Sequence, residues 1–410
     1  MGSRLDPDEG IRATSVTFAT RAKAAIHFEI DNICLATIQA CILLANIFAA
    51  DLEPSLETLY FGIATRMAQI MGLHRANDDT DVVQRETRAR VWYALVTSDI
   101  FCNTNLGLPR QIHILDGDVA LPGDEAEFQL LLPGSREPRS SSLGMWAYCT
   151  RLFEMFGAIH DLNRQIVDQK IAPQIAEECV RGLAMRLDEW RASLPQLFEE
   201  TEINLEKHIQ RGTGGLFVAF HLGYHHYSTL LYFRYLGTAS TNTATQNDYA
   251  DQCRVHAASF ASLVRKSRAA PGSEAQYATV GHMAVVSSSV ILHTLLFDSS
   301  EQISGAKADL TSNFAALLEL KKFWPCLERT MGRLLVFRNH CLQAKTSDVH
   351  RIDHWMLRYL VEHSLPLEDS DPSRPGWHEV ARAGKPDADR SSREGMANEA
   401  PSTLWHKTPP

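Results

Sequence analysis

Three histidines lie close together in the second half of the sequence, at a spacing that could bind a metal ion. His221, His225 and His226 form the pattern HxxxHH, and histidines four residues apart can reach one ion from the same face of a helix. The flanking residues are aromatic, and no glutamate lies inside the spacing. The pattern therefore favours core or pocket-lining histidines over a metal site.

Two other clusters contain groups that bind cations in other proteins. His350, Asp353 and His354 resemble a set of two histidines and one carboxylate, but their place at the polar end of the helical region favours a solvated helix face. Residues 77–81 read NDDTD and are similar to the acidic motif with which helical terpene cyclases hold magnesium. A second such motif is not apparent, and acidic residues before a helix are also stabilised by its dipole.

The remaining sequence carries no motif for catalysis or structural zinc. Neither a GxSxG nucleophile motif nor a phosphate-binding P-loop occurs. The eight cysteines include no CxxC pair, which a structural zinc site requires, so we interpret all eight as small buried residues in a reducing compartment. A metal-dependent helical enzyme is the least favoured function, and we predict no catalytic residue and no metal ligand.

The elements that must position these residues are helical nearly throughout. Apolar residues recur at helical spacing in eight segments, and no stretch alternates in the way that predicts a sheet; the segments are 58–71, 81–102, 145–168, 172–192, 215–236, 247–267, 275–298 and 308–343. The apolar run from Ile33 to Ala50 is interrupted by polar side chains, which favours a core helix over a membrane span. The predicted fold is all-α, a large irregular multi-helix domain with a disordered C-terminal tail.

Composition and loop signals set the expected domain boundaries. The chain has 410 residues with 40 Lys and Arg against 49 Asp and Glu, a net charge of −9, which does not suggest a surface devoted to nucleic acid or acidic membranes. We predict an N-terminal segment over 1–30, the main domain over 31–345 and a helical extension over 346–365. Residues 366–410 are rich in Pro, Ser, Asp, Arg and Gly, which predicts a disordered tail.

Charged residues within apolar helical stripes need partners. At about 100° per residue, Asp99 shares a face with Trp92 and Leu95, and Arg66 lies on the stripe of Leu59. Because an unpaired buried ion is costly, we predict a structural ion pair between Arg66 and Asp99 across two neighbouring antiparallel helices.

The best basic cluster is the run RETRAR over residues 85–90. Helical geometry predicts that Arg85 and Arg90 face water, whereas Arg88 points inward. Aromatic residues do not alternate with these arginines on one face, so the cluster favours contact with a protein partner over nucleic-acid binding.

Several motifs between Thr37 and Pro122 occur in the order and spacing of a known family. The apolar helix TIQACILLANIFAA is followed by ATRMAQIMGLHR, ETRARVWYALVTSD, the turn GLP and the segment DGDVALP. This series resembles the regulatory "middle homology" domain of fungal zinc-binuclear-cluster transcription factors, densely over 37–122 and loosely to about residue 343. Ala89, Tyr93 and Leu108 depart from the family's Arg, Trp and Arg.

The resemblance implies a regulator of transcription in the nucleus of a filamentous fungus, for a metabolic or biosynthetic pathway. It implies protein partners in the transcription machinery or a homologous factor, and a small-molecule effector, with no membrane contact. Pockets between helices suit small ligands, and we predict that one is lined by four residues of the aromatic helix 215–236, namely Phe217, His221, Tyr224 and His225.

In this family a separate N-terminal module contacts DNA through six cysteines that hold two zinc ions. No such cysteines precede Ile33, so neither zinc nor a DNA-binding residue is predicted for these residues, and any contact with DNA would be indirect. An alternative function is a free-standing interaction protein that dimerises with a full-length homologue and titrates it.

Overall fold

The described part of the chain is built from α-helices, as predicted. The computed structural model describes residues 5–361 apart from gaps at 7, 77–80, 107, 113–116, 135–141, 238–242, 298–302, 345–351 and 353. These residues form fourteen α-helices and no strand beyond one isolated bridge between Gly123 and Leu143. The helices are α1 Glu9–Glu29, α2 Leu35–Ala50, α3 Pro54–Ile70, α4 Val82–Leu106, α5 Glu125–Gln129, α6 Met145–Val167, α7 Pro173–Ala192, α8 Glu202–Gln210, α9 Gly214–Tyr232, α10 Ala244–Ala269, α11 Ala278–Phe297, α12 Ile303–Lys321, α13 Leu327–Ala344 and α14 His354–Val361.

Two nearly fully buried helices, α9 and α11, form the centre of the core. Helix α9 packs against α6, α7, α8 and α10, and α11 packs against α10, α12 and α13. Helix α11 is long and apolar enough to cross a membrane by length and composition, but 78% of its most apolar window is buried inside the protein. We therefore interpret it as the core helix of a globular unit.

Local sequence signals explain several helix boundaries. Pro54 occupies the first turn of α3, where a missing backbone N–H costs nothing. Gly72 follows α3 with a φ of 66°, a left-handed conformation that glycine adopts without strain. Thr243 and Gln246 form a reciprocal capping box at the start of α10.

Three expectations about local structure need correction. The single helix predicted over 308–343 is two helices, α12 and α13, because Pro325 lies between them and cannot continue a helix. The short helix α8 had no predicted counterpart. Five of the eight cysteines are buried as expected, but Cys34 and Cys326 are half-buried and Cys179 is exposed.

The apolar run before residue 50 is a core helix. Helix α2 spans Leu35–Ala50, and its buried positions include Ile38, Cys41 and Leu44. The helices α1 and α14 fall within the segments 1–30 and 346–365; α1 packs on α2 and α14 on α6. The chain divides into two compact units, Met1–Asp369 and Ser370–Pro410. The predicted tail, 366–410, lies outside the described residues, and so does the whole of the second unit. The domain boundaries stay a prediction.

The expected ion pair between Arg66 and Asp99 does not form. Asp99 is 4% exposed, but its carboxylate accepts hydrogen bonds from the backbone N–H groups of Gln111 and Ile112, at 3.0 Å each, and from Asn103 Nδ2 at 2.5 Å. Arg66 is exposed on α3. The buried charge is therefore satisfied by main-chain donors after α4, which removes the need for a cation.

Replacing Asp99 with asparagine should destabilise the protein. An amide cannot accept from both backbone donors without bringing its own NH₂ group against one of them, so we expect Asp99→Asn to lower the free energy of unfolding by about 2 kcal/mol. Asp168→Asn, which breaks an exposed ion pair with Lys170, should cost at most about 0.5 kcal/mol. Thermal unfolding of both variants checks this, and equal losses would contradict it.

Candidate functional site

A cavity of about 550 Å³ lies between α4, α6, α7 and the segment that follows α4. We call it the charged cavity, because four charged side chains line it together with apolar residues. The charged residues are Arg151 and Glu154 from α6 and Arg186 and Glu189 from α7. Its other lining residues are Trp92, Tyr93, Val96, Ile112, Gly117, Leu121, Thr150, Met155, Trp190 and Ser193.

Helical spacing explains how the charged residues reach one cavity. In each pair the arginine precedes the glutamate by three positions, which places both side chains on one face of the helix. Arg151, Arg186 and Glu189 are exposed, whereas Glu154 is half-buried. Burial raises the pKa of Glu154, and the nearby charges of Arg186 and Arg151 oppose that rise. The cavity thus offers both signs of charge at its mouth.

Buried tryptophans and backbone hydrogen bonds hold the walls of the charged cavity in place. Trp190 is 5% exposed and donates from Nε1 to the backbone oxygen of Tyr148, at 3.0 Å, which links α7 to α6. Tyr93 donates to the backbone oxygen of Val119 at 2.8 Å, which fixes the segment after α4. The lining residues are therefore positioned by contacts that do not depend on a ligand.

The motifs quoted from the sequence converge beside this cavity. The backbone oxygen of His74 accepts from the N–H of Asp118 at 3.1 Å, and the Asp118 carboxylate accepts from the N–H of Ala76. A Cβ on Gly117 would lie 2.7 Å from the oxygen of His74, so this close approach requires glycine. The turn after α3 is thus held against residues 117–118 of the DGDVALP motif.

The arginines of the RETRAR run are engaged within the protein. Arg88 donates to the backbone oxygen of Met71 at 3.2 Å. Arg90 pairs with Glu86 at 2.9 Å, donates to the oxygen of Gly123 at 2.8 Å and lies over the ring of Phe128. Arg85 is half-buried. The inward position of Arg88 is confirmed, whereas Arg90 does not face water as predicted, because its guanidinium ties α4 to the segment around Gly123.

The four residues predicted to line a pocket are instead packed in the core. Phe217, His221, Tyr224 and His225 are 1–7% exposed, and none of them lines the charged cavity. They lie on faces of α9 that contact other helices: Tyr224 stacks on Trp190 of α7, and Phe217 stacks on His208 of α8. None of the four residues lines the other cavities described for this protein either.

His225 is the centre of a buried hydrogen-bonded chain. Its Nε2 lies 2.8 Å from Glu200 Oε2, and its Nδ1 lies 2.9 Å from Nδ1 of His256 on α10. With both rings neutral, His256 donates to His225, which donates to the carboxylate. His221 Nδ1 lies 3.8 Å from the same carboxylate.

Burial controls protonation in this chain of hydrogen bonds. It lowers the pKa of His256 to about 3 and of His221 to about 4. Burial alone would raise the pKa of Glu200, but the hydrogen bond from His225 and the nearby positive charge of Arg191 act to lower it. Among the described residues, no group of His, Cys, Asp or Glu side chains has the arrangement of a metal site.

Two other clusters were considered as cation sites and disfavoured, and both include residues outside the described part of the chain. Residues 77–80 of the acidic motif, together with His350 and Asp353, lie outside the described residues. Sequence reasoning also missed the residues of the charged cavity. The repeated Arg-x-x-Glu spacing on α6 and α7, each beside apolar core positions, is the signal that could have found them.

Comparison with known proteins agrees with the motifs. Residues 1–192 match the fungal specific transcription factor domain, the kind of domain that the sequence motifs resemble. All of α1 to α7, and with them every helix that lines the charged cavity, lie within the matched residues. No solved structure matches the chain significantly.

The relatives found are transcriptional regulators. The chain is 28% identical over 220 residues to Activator of stress genes 1 of Saccharomyces cerevisiae, an alignment that covers 52% of this chain and 22% of the relative. It is 28% identical over 176 residues to the Transcriptional activator protein acu-15 of Neurospora crassa, covering 40% and 18%. The chain thus aligns with about a fifth of the length of these relatives.

The buried histidines should make stability fall in acid. Because His221 and His256 have lowered pKa values in the folded protein, unfolding takes up protons below the ordinary histidine pKa of about 6.5. Stability is therefore fully present above about pH 6.5 and is lost as the pH falls toward 4. In His256→Phe this loss of stability in acid should be smaller by a few kcal/mol, because each unit of pKa shift corresponds to about 1.4 kcal/mol.

Thermal unfolding between neutral and acidic pH measures the effect. His27→Phe, at an exposed position on α1, is the matched control and should keep the pH dependence of the unaltered protein. If His256→Phe loses stability in acid as steeply as that control, the histidine chain is not the cause.

Proposed function

We propose that this chain regulates transcription in the nucleus of a fungus, as the effector-responsive domain of a zinc-cluster-type factor. The match of residues 1–192 to the fungal specific transcription factor domain carries the proposal, and the relatives named as transcriptional regulators or activators support it. The genes controlled are proposed to belong to a metabolic or biosynthetic pathway. Since these relatives are not enzymes by name, an enzymatic role has no support from them.

The charged cavity is the proposed site of the small-molecule effector. Its volume of about 550 Å³ falls within the range of small-ligand pockets. Its lining includes two arginines, two glutamates and the indole rings of Trp92 and Trp190. This lining suits a small polar molecule with both an apolar body and a charged group. A ligand held by α6 and α7 would favour one packing arrangement of these helices, and this would change the contacts that the chain makes with partners.

Contacts with protein partners are proposed for the exposed apolar side chains of α1. Val16 is 64% exposed, Phe18 60% and Phe28 88%. Contiguous exposed apolar patches mark surfaces that bind other proteins, and these side chains are among the apolar groups that α1 exposes. The partners would be components of the transcription machinery or a homologous factor. Binding to a homologous factor would also fit the alternative function, in which this chain dimerises with a full-length homologue and titrates it.

A tethering experiment tests the regulatory role. The full chain, fused to a heterologous DNA-binding module in a fungal cell, should change expression of a reporter several-fold relative to the module alone. Arg151→Ala and Arg186→Ala should reduce that change because they remove charges from the effector cavity. Arg181→Ala, also exposed on α7 but outside the cavity lining, is the control. Unchanged reporter expression with the fused chain would overturn the proposal.

Direct DNA binding by this chain should be weak and insensitive to sequence. The arginines of the RETRAR run make contacts within the protein, and the net charge is −9. In gel-shift assays at physiological salt, we expect the purified chain to retain no promoter fragment specifically. A tight complex with one DNA sequence that weakens steeply with added salt would contradict this expectation.

A further inference from the structure

A second cavity, of about 270 Å³, contains a buried carboxylate that has no partner among the residues that the structure describes. The cavity lies where α2, α3, α4 and α6 meet α9, α11 and α13. We call it the apolar cavity, since most of its lining is aromatic or aliphatic. Its large apolar and aromatic lining residues are Leu52, Phe101, Phe156, Tyr277, Met283, Trp324 and Leu327.

The carboxylate is that of Glu57, in the first turn of α3. Glu57 is 7% exposed and lines the cavity. Its side chain accepts no hydrogen bond from, and forms no ion pair with, any residue that the structure describes. An ionised carboxylate in such a place is costly. Glu57 therefore differs from Asp99, whose burial is compensated by main-chain donors.

The surroundings of Glu57 favour a positive charge. Neither lysine nor arginine lines the cavity. Burial raises the pKa of the Cys102 thiol on α4, and the negative charges of Glu57 and Asp99 raise it further. Two acidic side chains therefore lie near Cys102. Burial lowers the pKa of His282, with His226 adding to the effect, which leaves this histidine ring neutral. The titratable groups that face the cavity beside Glu57 are His226, His282, Tyr277 and Cys326.

Aromatic rings around the carboxylate add a second means of holding a cation. Phe101 and Phe156 stack with their centroids 4.7 Å apart, and Tyr277 and Trp324 complete the aromatic lining. Ring faces attract cations, and the attraction is strongest where water is excluded. A ligand with an ammonium group could pair with Glu57 while its apolar body packs against these rings. Such a ligand would account for both the buried carboxylate and the aromatic lining.

We propose that the apolar cavity is a binding site for a small organic cation, an ammonium ion with a compact aryl or alkyl body, whose charge pairs with Glu57. The site is distinct from the charged cavity and does not depend on the regulatory role proposed above. Its ligand would bridge the helices of the matched N-terminal region, α2 to α6, and the central helices α9, α11 and α13.

Calorimetric titration of the purified full chain with 2-phenylethylammonium tests the proposal. The titration is run at about pH 8, above the pKa of about 7 to which burial raises Glu57. We expect saturable binding, with 2-phenylethanol and phenylacetate, which have the same ring but no positive charge, binding at least about tenfold more weakly. Equal binding of all three would overturn the proposal, as would the absence of binding by this cation and by smaller alkylammonium ions.

Two glutamine variants assign the binding to Glu57. Glu57→Gln keeps the shape of the side chain and should weaken binding of the cation about tenfold, or about 1.4 kcal/mol, while the neutral alcohol binds as before. Glu53→Gln, which alters an exposed carboxylate one helical turn earlier, should bind the cation like the unaltered protein. Thermal unfolding confirms that both variants are folded, and unchanged affinity in Glu57→Gln would contradict the assignment.

Discussion

The buried carboxylate of Asp99 is the constraint on which the arrangement after α4 depends. An anion that is 4% exposed needs donors, and the chain supplies them from the backbone of Gln111 and Ile112. The chain must therefore turn back beside the end of α4. That return puts Ile112 in the wall of the charged cavity. It also leads into the segment that contains Asp118 and Val119. Asp118 accepts a hydrogen bond from Ala76 in the turn after α3, and Val119 accepts one from Tyr93 of α4.

Polar contacts, more than apolar packing, fix the irregular part of this region. Glu86 accepts from the backbone N–H of Gly123 and pairs with Arg90, while Glu125 accepts from the N–H groups of Met145 and Trp146 at the start of α6. Each carboxylate replaces a missing main-chain partner in a loop or a helix end. These contacts explain how Glu86 and Arg90 can be half-buried and Glu125 buried.

The sequence predicted the helices well because helical spacing of apolar residues is a local property. It could not identify the partner of Asp99, since periodicity shows which face a residue occupies but not which backbone N–H a distant loop presents. The position of a pocket is hard to predict for a related reason. Nearly all side chains of α9 are buried, so aromatic composition predicts burial correctly for Phe217 and His225. It does not locate a void, which depends on how several helices pack together. The burial of Glu57 in a cavity could not be predicted from the sequence, because a lone glutamate in a first helical turn is ordinary.

The two cavities share walls, and this links their physical behaviour. In α6, Met155 lines the charged cavity and the next residue, Phe156, lines the apolar cavity. In α4, Val96 lines the charged cavity and Phe101 lines the apolar cavity. Packed helices shift as units, so the positions of α4 and α6 set the shape of both cavities at once. A ligand that prefers one arrangement of this helix pair shifts the population toward it. If binding in one cavity changes the affinity of the other, linkage requires the reverse effect to be equal in free energy.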